Sequence, residues 1–142
     1  MNNILVTGCC GFIGFHLVKK LLISKKKFNI FGIDNLNNYY DVNLKKKRLS
    51  ILKKNNSFKF SKLDIKNLRS LSNYFKKNKI SYVIHLAAQA GVRFSISNPD
   101  EYFENNVFGF YNILKISKKF NIKHLAYAST SSVYGMSKEF PL

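Results

Sequence analysis

The sequence predicts an α/β protein built on a doubly wound parallel sheet. Two observations predict it. Short apolar runs alternate with segments of helical apolar spacing, and the first run ends in a glycine-rich turn that opens a helix. The 142 residues are 46% apolar and 15% aromatic. That suffices for one domain, residues 1–142, with a real core, and it excludes a disordered tail.

Ile4, Leu5 and Val6, ended by Thr7 and Gly8, suit a buried strand. Over residues 12–24, apolar residues recur at Phe15, Val18 and Leu22 and at Leu17 and Leu21, the spacing of a helix. Residues 28–33 read as a second strand closed by Asp34. A polar loop rich in Asn and Tyr follows, and Leu44, Ile51 and Leu52 mark a lysine-rich helix. Residues 58–63 form a third strand before Asp64, and Leu68, Leu71 and Phe75 give a third helix. Residues 82–86 form a fourth strand, followed by the small-residue segment 87–91. Pro99, suited to a first helical turn, opens a long helix through Tyr102, Val107, Tyr111 and Leu114 to residue 120. Residues 124–129 form a fifth strand, and 130–142 carry no clear element. Such alternation demands parallel strands joined by right-handed crossovers. With five strands the sheet reads as unfinished.

Charge narrows the partners. Lys and Arg total 24 against 7 Asp and Glu, a net charge of +17. Only Arg48, Arg69 and Arg93 are arginines; the lysines fall in short runs at 25–27, 45–47, 53–54, 76–77 and 118–119. These runs lie near helix ends and polar faces, and no nucleic-acid motif accompanies them, so they read as solvated faces. No apolar run is long enough to span a bilayer, and residues 1–7 lack the pattern of a signal peptide. Adjacent Cys9 and Cys10 make neither a disulfide framework nor zinc-site spacing. They read as small side chains that fit their loop. A cytoplasmic protein with no metal, membrane or nucleic-acid partner is expected.

The turn at residues 7–14, Thr-Gly-Cys-Cys-Gly-Phe-Ile-Gly, joins the first strand to the first helix. Gly8 permits a tight turn, Gly11 lets backbone approach a pyrophosphate, and Gly14 allows close helix packing. The helix N-terminus then presents free N–H groups to phosphate. Asp34 stands twenty residues after Gly14, at the end of the second strand, where a carboxylate accepts bonds from an adenosine ribose. A carboxylate there, with Asn35 next and no adjacent arginine, favours NAD over NADP.

With these residues, further segments resemble the extended short-chain dehydrogenase/reductase family of NAD-dependent, nucleotide-sugar epimerases and dehydratases. They are Asp64-Ile65, His85-Leu86-Ala87-Ala88, Asn105-Asn106-Val107, and Ser129-Thr130-Ser131-Ser132-Val133-Tyr134-Gly135. Two stretches, Asp34-Asn35-Leu36-Asn37-Asn38-Tyr39-Tyr40-Asp41-Val42 and Ala87-Ala88-Gln89-Ala90-Gly91-Val92-Arg93, look most like UDP-glucuronate 4-epimerases, as does the serine-rich turn. The resemblance covers this chain but only the first half of a typical member. It implies a Rossmann-type sheet whose C-terminal strands and substrate domain are missing here. It implies bound NAD and a UDP-sugar substrate, oxidised at C4 to a 4-keto sugar and reduced again. UDP-glucose 4-epimerase and sugar-nucleotide 4,6-dehydratase are the neighbouring alternatives, and a non-catalytic NAD-binding module is another.

Carried over by position, Phe12 and Ile13 would meet the pyrophosphate through backbone N–H groups. Asp34, Asn35 and Asn37 would hold the adenosine ribose, and Asp64 and Ile65 would flank the adenine. Leu86, Ala87, Ala88 and Ala90 would line the path to the nicotinamide ribose, with Asn105 below the cofactor. Thr130 aligns with the family's catalytic Ser/Thr. Plainer roles stand beside these: Asp64 as a helix N-cap, Asn105 as a polar helix-face residue, and Ala87 and Ala88 as small packing residues. Arg93 suits either a diphosphate or sugar carboxylate or a plain place in a surface loop. His85 reads as structural.

The family's base is a tyrosine with a lysine four residues on, on one helix face. Tyr134 and Lys138 match that spacing, but Tyr134 follows Thr130 by only four residues and Gly135 suits a turn. The pair is rejected as the dyad. Family homodimers pair two helices per subunit; residues 99–120 match one of them and the other is absent, so that dimer is not expected here. The 142 residues alone are expected to lack epimerase activity.

Overall fold

Five parallel strands form one sheet, ordered β3-β2-β1-β4-β5, in the computed structural model, which describes residues 2–25 and 28–136. The strands are β1 (Asn2–Thr7), β2 (Phe28–Asp34), β3 (Phe58–Lys62), β4 (Tyr82–His85) and β5 (His124–Tyr127). Helices α1 (Phe12–Leu22), α2 (Val42–Leu52), α3 (Leu68–Asn78), α4 (Val92–Ser97), α5 (Pro99–Phe103) and α6 (Phe110–Lys119) connect them. No described helix is long and apolar enough to cross a membrane.

Strand alternation divides the core into two layers. Ile4, Val6, Ile30 and Phe58 face α1 and α2, where they pack with Phe15, Val18, Leu49 and Leu52. Leu5, Phe31, Ile33 and Val83 face the other way, onto Leu71 and Phe75 of α3 and Ile113 and Ile116 of α6. Register aligns Thr7 with Ile33 on one side and with His85 on the other. The strand order reverses between β1 and β4, which opens a crevice above their carboxyl ends.

Three local expectations change. The inward face of α2 is Lys45, Leu49 and Leu52, while Leu44 and Ile51 are exposed. Lys45 therefore leaves the solvated lysine run and takes a buried position one turn before Leu49. The single helix over 99–120 is three pieces, because a π-helical turn, Glu104–Gly109, separates α5 from α6. Its extra residue per turn rotates the face: Val107, Tyr111 and Leu114 are exposed, and Asn105, Asn112, Ile113 and Ile116 are buried. Asn112 is satisfied there by donating to the carbonyls of Ile65 and Lys66. Finally, a 3₁₀ turn, Ser131–Tyr134, follows β5 where no element was expected, and α4 was also not anticipated. The rest of the tail, 137–142, lies outside the described residues.

Candidate functional site

The turn after β1 is folded tightly against α1. Gly8 adopts φ +66°, and its N–H bonds the Ile33 carbonyl at 2.9 Å. A Cβ on Gly14 would collide with the Gly8 carbonyl, so the close packing expected of Gly14 is against the turn itself rather than the strand. Gly11 caps α1 without a side chain to occupy the first N–H groups. Phe12 and Ile13 hold their side chains outward, 68% and 64% exposed, and their backbone forms the first turn of α1.

Asp34 stands at the end of β2, buried against this turn. One carboxylate oxygen accepts from the Cys10 N–H at 3.0 Å and the other from the Leu36 N–H at 2.8 Å. Asn35 donates to Asp64 at 3.1 Å, and Asp64 also accepts from the Lys66 N–H at 2.8 Å. Asp64 is thus not the N-cap of α3; Asn67 fills that place by accepting from Ser70 N–H. The Lys45 ammonium donates to the Asn37 carbonyl at 2.9 Å and to its side-chain oxygen at 2.6 Å, and lies 4.3 Å from the Tyr40 ring centre. Burial lowers the pKa of Lys45, and the negative charge of Asp34 opposes that shift. Arg48, distant in sequence, reaches back to the Cys10 carbonyl at 3.3 Å and the Tyr40 hydroxyl at 3.2 Å. Burial raises the Tyr40 pKa.

The cysteines face the core. Their sulfurs are 3.9 Å apart, and the hydrogen bond between them, followed by burial, pushes the Cys9 thiol up. With Asp34 they offer three ligand atoms within 4.8 Å, but both Asp34 oxygens are already held by backbone N–H groups.

On the β4 side, Thr7 is the joint. Its hydroxyl accepts from the Leu86 and Ala87 N–H groups at 3.1 and 3.0 Å and lies 2.8 Å from His85 Nδ1. With its acceptor capacity spent, the hydroxyl donates to Nδ1, which places the ring proton on Nε2. Burial lowers the His85 pKa to about 4, and the ring stacks on Phe110 at 5.3 Å. His85 is thus a buried ring held by Thr7 and Phe110 at the end of β4. Asn106 holds the next loop by accepting from Gln89 N–H at 2.8 Å and donating to the Gln89 carbonyl at 2.9 Å. Asn105 is buried in the π turn and donates to Glu101. Arg93 is exposed on α4.

Ten nominated residues line one cavity at the switch point: Gly8, Gly11, Asp34, Asn35, Asn37, Ile65, Leu86, Ala87, Ala88 and Asn105. Tyr40 and Lys45 also line it and were not nominated. The i, i+4, i+7 spacing of Lys45, Leu49 and Leu52 is the signal that could have found Lys45. Ala90 and Thr130 lie instead on a neighbouring cavity that shares Leu86, Ala87 and Ala88 and includes His85, Phe110 and Tyr127. Asp64 does not line the first cavity, but it accepts from Asn35 and stands between Leu63 and Ile65, all three of which do. Thr130 accepts from the Ser132 N–H at 3.3 Å, and Tyr134 ends the 3₁₀ turn with its side chain exposed. Gly135 then takes φ +64°, which breaks any helical course toward position 138; Lys138 itself lies outside the described residues.

A glycine turn after β1, a buried carboxylate ending β2 and a crevice at the switch point define a Rossmann-type doubly wound protein. The chain belongs to the GDP-mannose 4,6-dehydratase family, whose model matches residues 5–142. It is 48% identical over 141 residues to a UDP-glucuronate 4-epimerase of Thermodesulfobacterium geofontis, covering 99% of this chain and 43% of that protein. UDP-glucuronic acid 4-epimerase from Bacillus cereus, solved with UDP-glucuronic acid and NAD, matches with a TM-score of 0.86 at 36% identity, over 96% of this chain and 43% of that one. UDP-glucose 4-epimerase from Bifidobacterium longum, solved with NAD+ and UDP, matches at 0.79 and 33% identity, over 99% and 41%. The chain thus spans about two-fifths of the length of these relatives.

Proposed function

We propose that this chain is the NAD-holding segment of a UDP-glucuronate 4-epimerase. The observation that carries the proposal is the convergence of the glycine turn, Asp34, Asn35, Asn37 and Ile65 on one cavity at the switch point. The residues fit the cofactor. A Cβ at Gly8 or Gly14 would crowd the cradle, and the first turn of α1 has no side-chain cap. Asp34 is fixed by two backbone donors, so it meets a ribose as an oriented acceptor.

In this proposal the N–H groups of Phe12 and Ile13 take the pyrophosphate. Asp34, Asn35 and Asn37 hold the adenosine ribose, and Asp64 and Ile65 border the adenine. Leu86, Ala87, Ala88 and Ala90 line the way to the nicotinamide ribose above Asn105. Bound NAD supplies reversible hydride acceptance from the sugar C4. Thr130 orients the reacting hydroxyl, and Nδ1 of His85 is committed to Thr7. The UDP-glucuronate assignment rests on the relative and the solved structure of that activity. The 142-residue segment by itself binds NAD without epimerising, because Tyr134 sits in an exposed 3₁₀ turn rather than on a helix with a lysine.

Calorimetric titration with NAD and NADP tests the cofactor assignment. NAD binds more tightly, since Asp34 repels a 2′-phosphate; tighter NADP, or no binding of either, overturns it. Incubation of the segment with NAD and UDP-glucuronate tests the second part. UDP-galacturonate formed at ordinary enzymatic rates would show that the tyrosine has been misassigned.

A further inference from the structure

The loop after β2 and the loop after β4 touch each other, although their strands are not neighbours. β1 lies between them in the sheet. A contact between these loops therefore spans the carboxyl end of β1, from which the glycine turn leaves. The gap to be bridged is two strand spacings, ~10 Å.

Tyr39 and Phe94 make the bridge. Their rings meet edge to face, with centroids 5.0 Å apart and planes at 74°. Gly91 makes room for it: a Cβ there would collide with the Tyr39 hydroxyl, and its φ of +101° favours glycine independently. The footings on either side are tied down. Lys45 holds Asn37, Arg48 holds Tyr40, and Asn106 holds Gln89. The bridge itself has no core anchor, because Tyr39 is 42% exposed and Phe94 lies on a six-residue helix with no buried residue.

We propose that Tyr39 and Phe94 form a strap across the crevice, which encloses a dinucleotide on the glycine turn and slows its exchange. The strap rests on the NAD-binding proposal above. It suits that chemistry, because a cofactor that regains its oxidation state in every turnover has no need to leave. With footings fixed and one aromatic contact between them, the strap opens locally rather than by moving the sheet.

Stopped-flow release of NADH, read by its fluorescence after displacement with excess ADP-ribose, tests the strap on the purified protein, Tyr39→Ala, Phe94→Ala and the double variant. Circular dichroism establishes that each is folded, and either single variant carries the test alone. Release and association both accelerate by about two- to tenfold, the factor one edge-to-face aromatic pair supports. The double variant is no faster than the quicker single one, because both remove the same contact. Unchanged rates in the variants overturn the strap and leave the cofactor assignment standing. Failure of the unaltered protein to bind NADH overturns both.

Discussion

Lowering the pH through the range where an ordinary histidine titrates will destabilise this fold through His85. The folded chain holds the imidazole neutral: it is buried, and its Nδ1 accepts the Thr7 proton at 2.8 Å. Its pKa falls from 6.5 to about 4. In the unfolded chain it protonates near 6.5, so between those values the unfolded state binds the extra proton. Stability contributed by the neutral ring is complete above pH 6.5, declines as pH falls, and is gone below pH 4. The full loss is about 3 kcal/mol, at ~1.4 kcal/mol per unit. Carboxylates also titrate at the lower end, so the assay is comparative. His85→Asn keeps an acceptor, Oδ1, where Nδ1 stands, and cannot titrate. Urea unfolding of both proteins from pH 7.5 to 4 gives two stability curves. Their difference should shrink or invert by about 3 kcal/mol on acidification. A pH-independent difference, or an NMR titration placing the folded-state His85 pKa at or above 6.5, would refute the reasoning.

Asn106→Ala strips the side-chain partner from both the N–H and the carbonyl of Gln89 and should cost about 1–3 kcal/mol in urea unfolding; a cost under ~0.5 kcal/mol would mean the amide pair is not formed in solution. Gly14→Ala drives a methyl into the Gly8 carbonyl, and thermal melting should show a loss of ~3 kcal/mol or more, or no folded protein. Melting unchanged within error would count against the packing described. Lys45→Met keeps the buried stem and removes the ammonium. NAD affinity should fall about tenfold as Asn37 loses a charge-assisted bond, whereas an unchanged dissociation constant would remove Lys45 from the site.

The parts of this molecule that were legible in sequence are those set by local chemistry. The glycine turn reads out because its spacing is local, and Gly14 packs on Gly8 and Cys9 within the same turn, although Gly8 is itself pressed by the distant Leu86 and Ala87. Asp34 reads out because a strand's last residue is fixed by the run before it. Lys45 did not, although its spacing with Leu49 and Leu52 was there to read, because a lysine stem is compatible with either environment and its acceptor, Asn37, sits in a loop without periodicity. The stripe Val107, Tyr111 and Leu114 looked inward because apolar spacing assumes 3.6 residues per turn; the π turn breaks that count, and Asn105 and Asn112 are buried with partners no periodicity announces. Six residues were too few for α4 to display a period.

The two layers of the core differ in how far along the chain they reach. Buried members of the α1–α2 layer come from residues 4–58, those of the α3–α6 layer from residues 5–116, about twice the separation. Doubling a closed loop adds only ~0.6 kcal/mol of entropy, so equilibrium scarcely distinguishes the layers. Assembly order does. The first layer's buried residues have all been synthesised before α3 is begun, while the second waits for Ile116. The half of the crevice built from the glycine turn and Asp34 thus belongs to the layer that can consolidate first, and the Thr7 hydroxyl waits on β4 for its partners.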